Sequence, residues 1–137
     1  TSLLLIRHAE TTWNREGRMQ GNQDSPLSEL GSKQAEALGR RLRSLQFDAV
    51  YSSDAQRCVR TARIALDDPN APLRLRPQLR ERHLGDWEGR LWREIAAESP
   101  DEARRYKQSG EFRPPNGESF LELQVLQYKI TTPTQYH

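Results

Sequence analysis

The hexapeptide LLLIRH at residues 3–8 joins an unbroken apolar run directly to an arginine and a histidine. A short run that is apolar at every position is typical of a strand buried on both faces of a parallel sheet. In open sheets of this kind, ligands bind beyond the carboxyl ends of the strands. The stretch therefore predicts a buried first strand that presents Arg7 and His8 at a ligand-binding edge.

The rest of the chain alternates between helical and extended patterns. The sequence predicts, in order, a helix from Ser28 to about Ser44, a strand at residues 48–52, a helix capped by Ser53 or Asp54, and a strand at residues 73–75. After a long loop it predicts helices at residues 91–107, interrupted near Pro100, and a last helix that opens at Glu118 and Ser119. This order implies right-handed crossovers and a parallel sheet covered by helices on both faces.

The composition favours one small domain with a thin core. Of the 137 residues, 34% are apolar and 29% are charged. The apolar runs are shorter than the ~18 residues of a membrane span, and the start of the chain lacks the pattern of a signal peptide. A single cysteine, Cys58, excludes an internal disulfide framework and a cysteine-based zinc site. We therefore expect a cytoplasmic protein with no membrane partner.

The charges are nearly balanced but chemically unequal. The 21 basic and 19 acidic residues leave a net charge of +2, and the two signs are interspersed along the chain. Nucleic-acid binding needs a clustered basic face, so we expect no nucleic-acid partner. Eighteen of the basic residues are arginines, which suit planar, bidentate recognition of anions.

His8 and two arginines suggest phosphoryl chemistry. A neutral imidazole is a covalent nucleophile, and a phosphoryl group is its natural electrophile where Arg7 and Arg57 can hold the phosphoryl oxygens. Arg57 is expected in the first turn of a helix, where free backbone N–H groups and the helix dipole would add positive charge. The alternative is a histidine that ends a strand, beside arginines in surface ion pairs; these residues by themselves leave both interpretations open.

Four blocks, in order along the chain, resemble the histidine phosphatase superfamily, which holds cofactor-dependent phosphoglycerate mutases and many small phosphomonoesterases. They read RHAETTWN from Arg7, SSDAQRCVRTA from Ser52, LRERHLGDWEG from Leu79 and PPNGES from Pro114. The resemblance covers residues 3 to about 124. It implies an α/β fold, a three-layer α/β/α sandwich of the phosphoglycerate mutase type.

The resemblance also implies a role for several side chains. His8 would be the nucleophile that forms a phosphohistidine, Arg7 and Arg57 would clamp the phosphoryl oxygens, and Glu81 would be the general acid that later activates water. Residues implied to bind the substrate are Asn14, Gln20, Gly21 and Arg82. The substrate would be a small phosphorylated molecule, and the chemistry would need neither a metal nor a cofactor.

The chain departs from the family at two places. Ala9 stands where the family most often has glycine, which would cost about 1 kcal/mol if that backbone had a positive φ. The family's second catalytic histidine, on a later strand, has no counterpart, because the last histidine, His137, follows no apolar strand. We therefore expect an incomplete catalytic domain at residues 1–124, without the C-terminal strands, and an atypical tail at residues 125–137. Residues 3–6 would then form an exposed edge through which two copies could pair.

Three functions follow from these observations. The favoured one is a phosphomonoester hydrolase; the alternatives are a phosphoglycerate mutase-type phosphotransferase and an inactive derivative that binds phosphate or a partner chain. The run from Glu81 to Gly85 is similar to mutases, but mutases usually have Tyr in place of Leu84 and Lys in place of Trp92. Because these changes would remove contacts to a phosphoglycerate carboxylate, they favour hydrolysis.

Overall fold

A computed structural model describes residues 2–123 of the chain. Its helices are α1 (Thr12–Glu16), α2 (Glu29–Leu42), α3 (Gln56–Ala65), α4 (Trp92–Glu98) and α5 (Pro100–Gln108). Its strands are β1 (Tyr51–Ser52) and β2 (Arg74–Leu75), and short 3-10 turns lie at Pro77–Leu79 and Gly85–Trp87. Helix also begins at Phe120 and continues to the end of the described residues. The atypical tail expected at residues 125–137 lies outside them.

The sheet of the described residues is parallel and two-stranded. β1 pairs with β2 in the register Tyr51 opposite Arg74, and α3 makes the crossover between them, as the alternating pattern predicted. The predicted first strand is wrong for these residues, since residues 3–6 form no strand, and Leu3 and Leu5 are 80% and 83% exposed. An apolar run becomes a strand only when a neighbour accepts its backbone hydrogen bonds, and β1 pairs with β2 alone within residues 2–123.

Helix α2 begins where the sequence predicted and packs closely on α3. The Ser28 hydroxyl accepts the N–H of Gly31 at 2.9 Å, which is the hydrogen bond of an N-cap. Farther along α2, Gly39 lies so near α3 that a Cβ there would stand 2.7 Å from the carbonyl oxygen of Ala65. The absence of a side chain at Gly39 therefore sets the distance between the two helices.

The N-terminus of α3 differs from the prediction. Its N-cap is Ala55, which offers no side-chain hydrogen bond. The cap is supplied from a distant loop, because Asp24 Oδ2 accepts the N–H of Gln56 at 2.6 Å. Ser53 and Asp54 were therefore wrong as caps, and a neighbouring segment performs that role.

An apolar cluster packs under the second half of the described chain. Its buried members are Leu84, Trp87, Ile95 and Phe112, with Met19, Trp92 and Tyr106 packed against them. The ring centres of Trp87 and Phe112 are 5.6 Å apart, a spacing typical of packed aromatic pairs. The cluster joins the turn at Gly85–Trp87 to α4 and α5, whose break at Pro100 was predicted. None of the helices within residues 2–123 is both long and apolar enough to cross a bilayer.

Candidate active site

The backbone beside His8 is fixed by α3. The N–H of Ala9 donates to the Thr61 hydroxyl at 3.0 Å, and that hydroxyl donates to the carbonyl oxygen of Arg57 at 2.7 Å. Thr61 is buried, as is Ala9, whose φ is not positive, so the expected strain at this position does not arise. Sequence patterns gave Thr61 no role of its own within the SSDAQRCVRTA block. In the structure its hydroxyl connects the backbone of Ala9 to that of Arg57.

The His8 imidazole is held in one protonation state and one tautomer. Its Nδ1 lies 2.8 Å from the carbonyl oxygen of Ala9, which can only accept, so Nδ1 carries the hydrogen and Nε2 keeps its lone pair. Partial burial lowers the pKa of His8 below 6.5, and the positive charges of Arg57 and Arg7 lower it further. The hydrogen bond to Ala9 and the carboxylate of Glu81 act against this pKa shift, without reversing it. The ring is therefore neutral at neutral pH.

The Arg57 guanidinium is buried and held from three sides. Its Nη1 donates to the carbonyl oxygen of Gln23 at 2.9 Å and to Asp24 Oδ1 at 2.8 Å. Its Nη2 donates to the carbonyl oxygen of Gly21 at 2.8 Å. Its Nε is also buried and has no acceptor among the described residues. The Nε–H of Arg57 is thus a buried hydrogen-bond donor without an acceptor among the described residues.

The helix start contributes less to this site than the sequence predicted. The backbone N–H groups of Gln56 and Arg57 both donate to Asp24, at 2.6 Å and 3.4 Å. Because an internal carboxylate accepts them, they are not free for a bound anion. The guanidinium of Arg57, rather than the helix N-terminus, supplies the positive charge here.

A cavity of about 160 Å³ opens beside Arg57. It is lined by Gly21, Asn22, Asp24, Asp54, Ala55, Arg57, Arg80 and Glu81. The half-exposed Glu81 carboxylate has its Oε2 at 3.9 Å from Arg57 Nη2. His8 is not among the lining residues, but the charges of both Arg57 and Glu81 act on the pKa of its ring. The structure thus brings together the predicted nucleophile, one arginine and the predicted acid.

Arg80 and Asp54 form an ion pair at the rim of the cavity that the sequence analysis did not predict. Arg80 Nε donates to Asp54 Oδ1 at 2.7 Å, and its Nη2 donates to the other carboxylate oxygen. These hydrogen bonds lower the pKa of Asp54 below its usual value. The two residues lie 26 positions apart, so no local sequence pattern predicts their ion pair.

The remaining predicted residues lie in different settings. Arg7 is exposed, and its charge acts on the pKa of His8. The exposed Asn14 uses its amide oxygen to accept the N–H of Thr11 at 3.1 Å, in the capping box of α1. Gln20 is buried, and its amide oxygen accepts the hydroxyls of Thr11 and Ser25. Asn14 therefore caps the start of α1, and Gln20 ties the segment after α1 to Thr11 and Ser25.

Of the last two predicted substrate-binding residues, Gly21 lines the cavity and Arg82 does not. Gly21 lines the cavity and binds Arg57 through its carbonyl group. Arg82 is buried with its guanidinium 4.4 Å from the centre of the Tyr106 ring, a cation–π contact. It is not among the lining residues of the cavity. Within residues 2–123, no group of three or more His, Cys, Asp or Glu side chains is arranged to hold a metal ion.

Comparison with known proteins gives consistent matches. A sequence profile of the histidine phosphatase superfamily (branch 1) matches residues 3–126. The chain is 40% identical over 127 residues to the metal-independent phosphoserine phosphatase of Arabidopsis thaliana, covering 90% of this chain and 53% of that protein. It is 39% identical over 122 residues to the probable phosphoglycerate mutase GpmB of Enterobacter sp., covering 88% of this chain and 57% of that protein. The chain thus spans little more than half the length of these relatives.

The solved structure of Bacillus stearothermophilus YhfR has a similar backbone. It superposes with a TM-score of 0.84 at 40% sequence identity, covering 90% of this chain and 62% of that one. A likeness of this degree confirms the predicted phosphoglycerate mutase-like α/β fold class, even though the sheet of the described residues is small.

Proposed function

The chain belongs to the histidine phosphatase superfamily, and from this premise we propose that it is a phosphomonoester hydrolase that acts through a phosphohistidine on His8. One observation carries the proposal. A neutral imidazole with a free Nε2 lone pair lies where the charges of Arg57, Arg7 and Glu81 all act on it. Phosphoryl transfer needs little beyond a positioned nucleophile, a proton donor and positive charge for the phosphoryl oxygens.

In the first step, the His8 Nε2 lone pair attacks the phosphorus atom of the substrate. A P–N bond forms as the ester P–O bond breaks, and Glu81 in its acid form donates a proton to the leaving oxygen. The buried Arg57 guanidinium stabilises the phosphoryl oxygens, because its charge is already fixed in place by protein acceptors.

In the second step, water replaces the enzyme as the acceptor of the phosphoryl group. Glu81, now a carboxylate, takes a proton from water as the water oxygen attacks phosphorus. The P–N bond breaks, its electron pair returns to Nε2, and inorganic phosphate leaves. Glu81 thus ends the cycle in the acid form in which it began, and the exposure of its side chain supports this role because water can reach the carboxylate.

The test of the proposal is direct detection of the phosphoenzyme. The protein is mixed with an aryl phosphate and quenched, and intact mass is measured for the wild type and for His8→Asn. The wild type is expected to gain one phosphoryl group that acid removes, and the variant none. His83→Asn is the matched control, because His83 is the other imidazole near Glu81; it should label like the wild type. A labelled His8→Asn protein would contradict the proposal.

Transfer between two positions of a phosphoglycerate is the second candidate, because one relative carries a mutase name. The structure supports hydrolysis instead: Leu84 is buried in the apolar cluster, and Trp92 packs against the same cluster. Neither side chain is polar, and both are engaged in the core. Radiolabelled phosphoglycerate separates the candidates, since hydrolysis releases inorganic phosphate whereas a mutase moves the label within the organic product.

The third candidate is a protein that binds phosphate without transferring it. It shares the buried Arg57 with the proposed hydrolase, so both predict binding of inorganic phosphate. Titration of the protein with phosphate, followed by phosphorus NMR, measures this binding directly. Phosphate binding without any phosphoenzyme from an aryl phosphate would favour the third candidate over hydrolysis.

A further inference from the structure

We propose that Glu88 is a positioning residue that holds the Arg57 guanidinium in place through the loop at residues 21–23. The inference rests on the proposed function, in which Arg57 stabilises the phosphoryl group. Glu88 lies in the LRERHLGDWEG block, and neither the sequence nor the proposed chemistry gives it a role. Its side chain is only 2% exposed, although it is a carboxylate.

The buried carboxylate is fully engaged with backbone donors. Its Oε1 accepts the N–H of Asn22 at 2.8 Å and that of Leu84 at 2.9 Å, and its Oε2 accepts the N–H of Gln23 at 3.1 Å. Burial of a carboxylate is costly unless such hydrogen bonds compensate it. Glu88 thus ties the cavity loop to the segment that carries Glu81.

The same loop binds Arg57 from its other side. The peptide group between Gly21 and Asn22 donates its N–H to Glu88 and accepts Arg57 Nη2 on its carbonyl oxygen, each at 2.8 Å. One residue on, Gln23 donates its N–H to Glu88 and accepts Arg57 Nη1 on its carbonyl oxygen at 2.9 Å. Chains of hydrogen bonds polarise one another, so the carboxylate strengthens the acceptors that hold the guanidinium.

The loop and this carboxylate are in close contact at Gly21. Gly21 has φ +57°, and a Cβ there would stand 2.2 Å from Glu88 Oε1. Glycine at this position therefore lets the backbone adopt a left-handed conformation and lets the carboxylate approach it. Glu88 and Arg57 are thus connected through one peptide group, that between Gly21 and Asn22.

The test uses Glu88→Gln in the full chain, with inorganic phosphate as the probe. Glutamine keeps the shape but replaces one acceptor oxygen with a donor, so at least one N–H that donates to Glu88 loses that oxygen, although the N–H of Gln23 also donates to the carbonyl oxygen of Gln20 at 3.1 Å. We expect phosphate affinity to fall about tenfold, because the loss of one hydrogen bond to a charged group typically has an effect of this size. Glu98→Gln is the matched control, because Glu98 is exposed, its carboxylate pairs with Arg90, and neither residue lines the cavity. Unchanged affinity in Glu88→Gln would overturn the proposal.

A double-mutant cycle separates positioning from general destabilisation. If Glu88 acts through Arg57, Glu88→Gln should change phosphate affinity less than about twofold in an Arg57→Lys background, since lysine lacks the planar fork that the loop holds. Independent losses that simply add would contradict the proposed route. If Glu88→Gln does not fold, Glu88→Asp replaces it, because it keeps the charge but shortens the reach by one methylene.

A second readout does not depend on phosphate. The Arg57 Nε–H resonance, assigned by its loss in Arg57→Lys, should shift in Glu88→Gln and stay unchanged in Glu98→Gln. An unmoved resonance would overturn the positioning role. If the wild type fails to bind phosphate while this resonance shifts, the proposed function is wrong and the structural link between Glu88 and Arg57 stands.

Discussion

His8 owes its neutrality to its surroundings rather than to a hydrogen-bond partner. Burial is the largest cause of its lowered pKa, and the two nearby arginines act in the same direction. The contact with Ala9 instead selects the tautomer. A nucleophile needs both properties, because a protonated ring has no lone pair and the wrong tautomer would turn its lone pair toward the backbone.

The lowered pKa of His8 predicts a pH-dependent stability. As the pH falls below the unfolded-state value of 6.5, the unfolded chain binds a proton before the folded protein does. The stability that neutral His8 contributes is thus present above this value and is lost as the pH falls through the folded-state pKa. We expect the wild type to lose stability relative to His8→Asn between about pH 7.5 and about pH 5, measured by urea unfolding. A constant difference would contradict the assigned direction.

At the scale of elements, the two central helices receive their N-terminal hydrogen bonds from different distances along the chain. Ser28 caps α2 from the adjacent position. Asp24 caps α3 from 32 residues away and also binds the guanidinium that α3 carries. A local pattern predicts a cap of the first kind, whereas a cap of the second kind depends on how the loop folds back.

Removal of the Ser28 hydroxyl, which caps α2, should lower the stability of the protein. Ser28→Ala loses the hydrogen bond from Gly31 and the one that its hydroxyl donates to Glu10, and we expect the free energy of unfolding to fall by at least about 1 kcal/mol. Ser99→Ala is the matched control, since Ser99 is the N-cap of α5 but makes no side-chain cap hydrogen bond. Its effect should stay within about 0.5 kcal/mol. Equal losses in the two variants, measured by urea unfolding, would show that the capping bond at Ser28 contributes nothing.

Across residues 2–123 as a whole, the aromatic cluster is buried whereas the apolar run at residues 3–6 is largely exposed. Ile95 is 1% exposed within the cluster around Trp87, whereas Ile6 is 47% exposed. The residues of the first apolar run are thus apolar without being core, because nothing within residues 2–123 covers them. Apolar area stabilises a fold only in proportion to what is removed from water.

The same substitution, isoleucine to valine, should therefore change the free energy of unfolding by different amounts at a buried and at an exposed position. Ile95→Val should lower the free energy of unfolding by about 1 kcal/mol, since it removes a buried methylene from a packed cluster. Ile6→Val, the matched control, should change it by less than about 0.5 kcal/mol. Urea unfolding of both variants decides the matter, and a larger loss from Ile6→Val would contradict the exposure seen at residue 6.

The exposed run also predicts self-association. Leu3 and Leu5 present apolar side chains on a segment that pairs with no strand within residues 2–123, which is an edge that a second copy can extend. We expect the sedimentation coefficient of the wild type to rise with concentration, and the double variant Leu3→Lys, Leu5→Lys to stay monomeric. Leu30→Lys with Leu45→Lys, at exposed positions in α2 and just after it, is the control and should associate like the wild type. Association that survives the first double variant would contradict pairing through this run.

Features that depend on neighbours along the chain could be predicted from the sequence. Ser28 as a cap, the break at Pro100 and the β1–α3–β2 order follow from local hydrogen bonding and periodicity. The four blocks likewise determined the family, because their order along the chain is a property of sequence alone. The candidate roles of His8, Arg57 and Glu81 came from those blocks and stay predictions until they are tested.

Contacts between groups far apart along the chain became visible only in the folded structure. Glu88 lies 66 positions from Asn22, Thr61 lies 52 from Ala9, and Asp24 lies 33 from Arg57. No periodicity links such residues, since their contacts depend on how the loops return to α3. Burial was decided in the same way: residues 3–6 have the composition of a buried strand, but a strand is buried only where other parts of the fold pack on both of its faces.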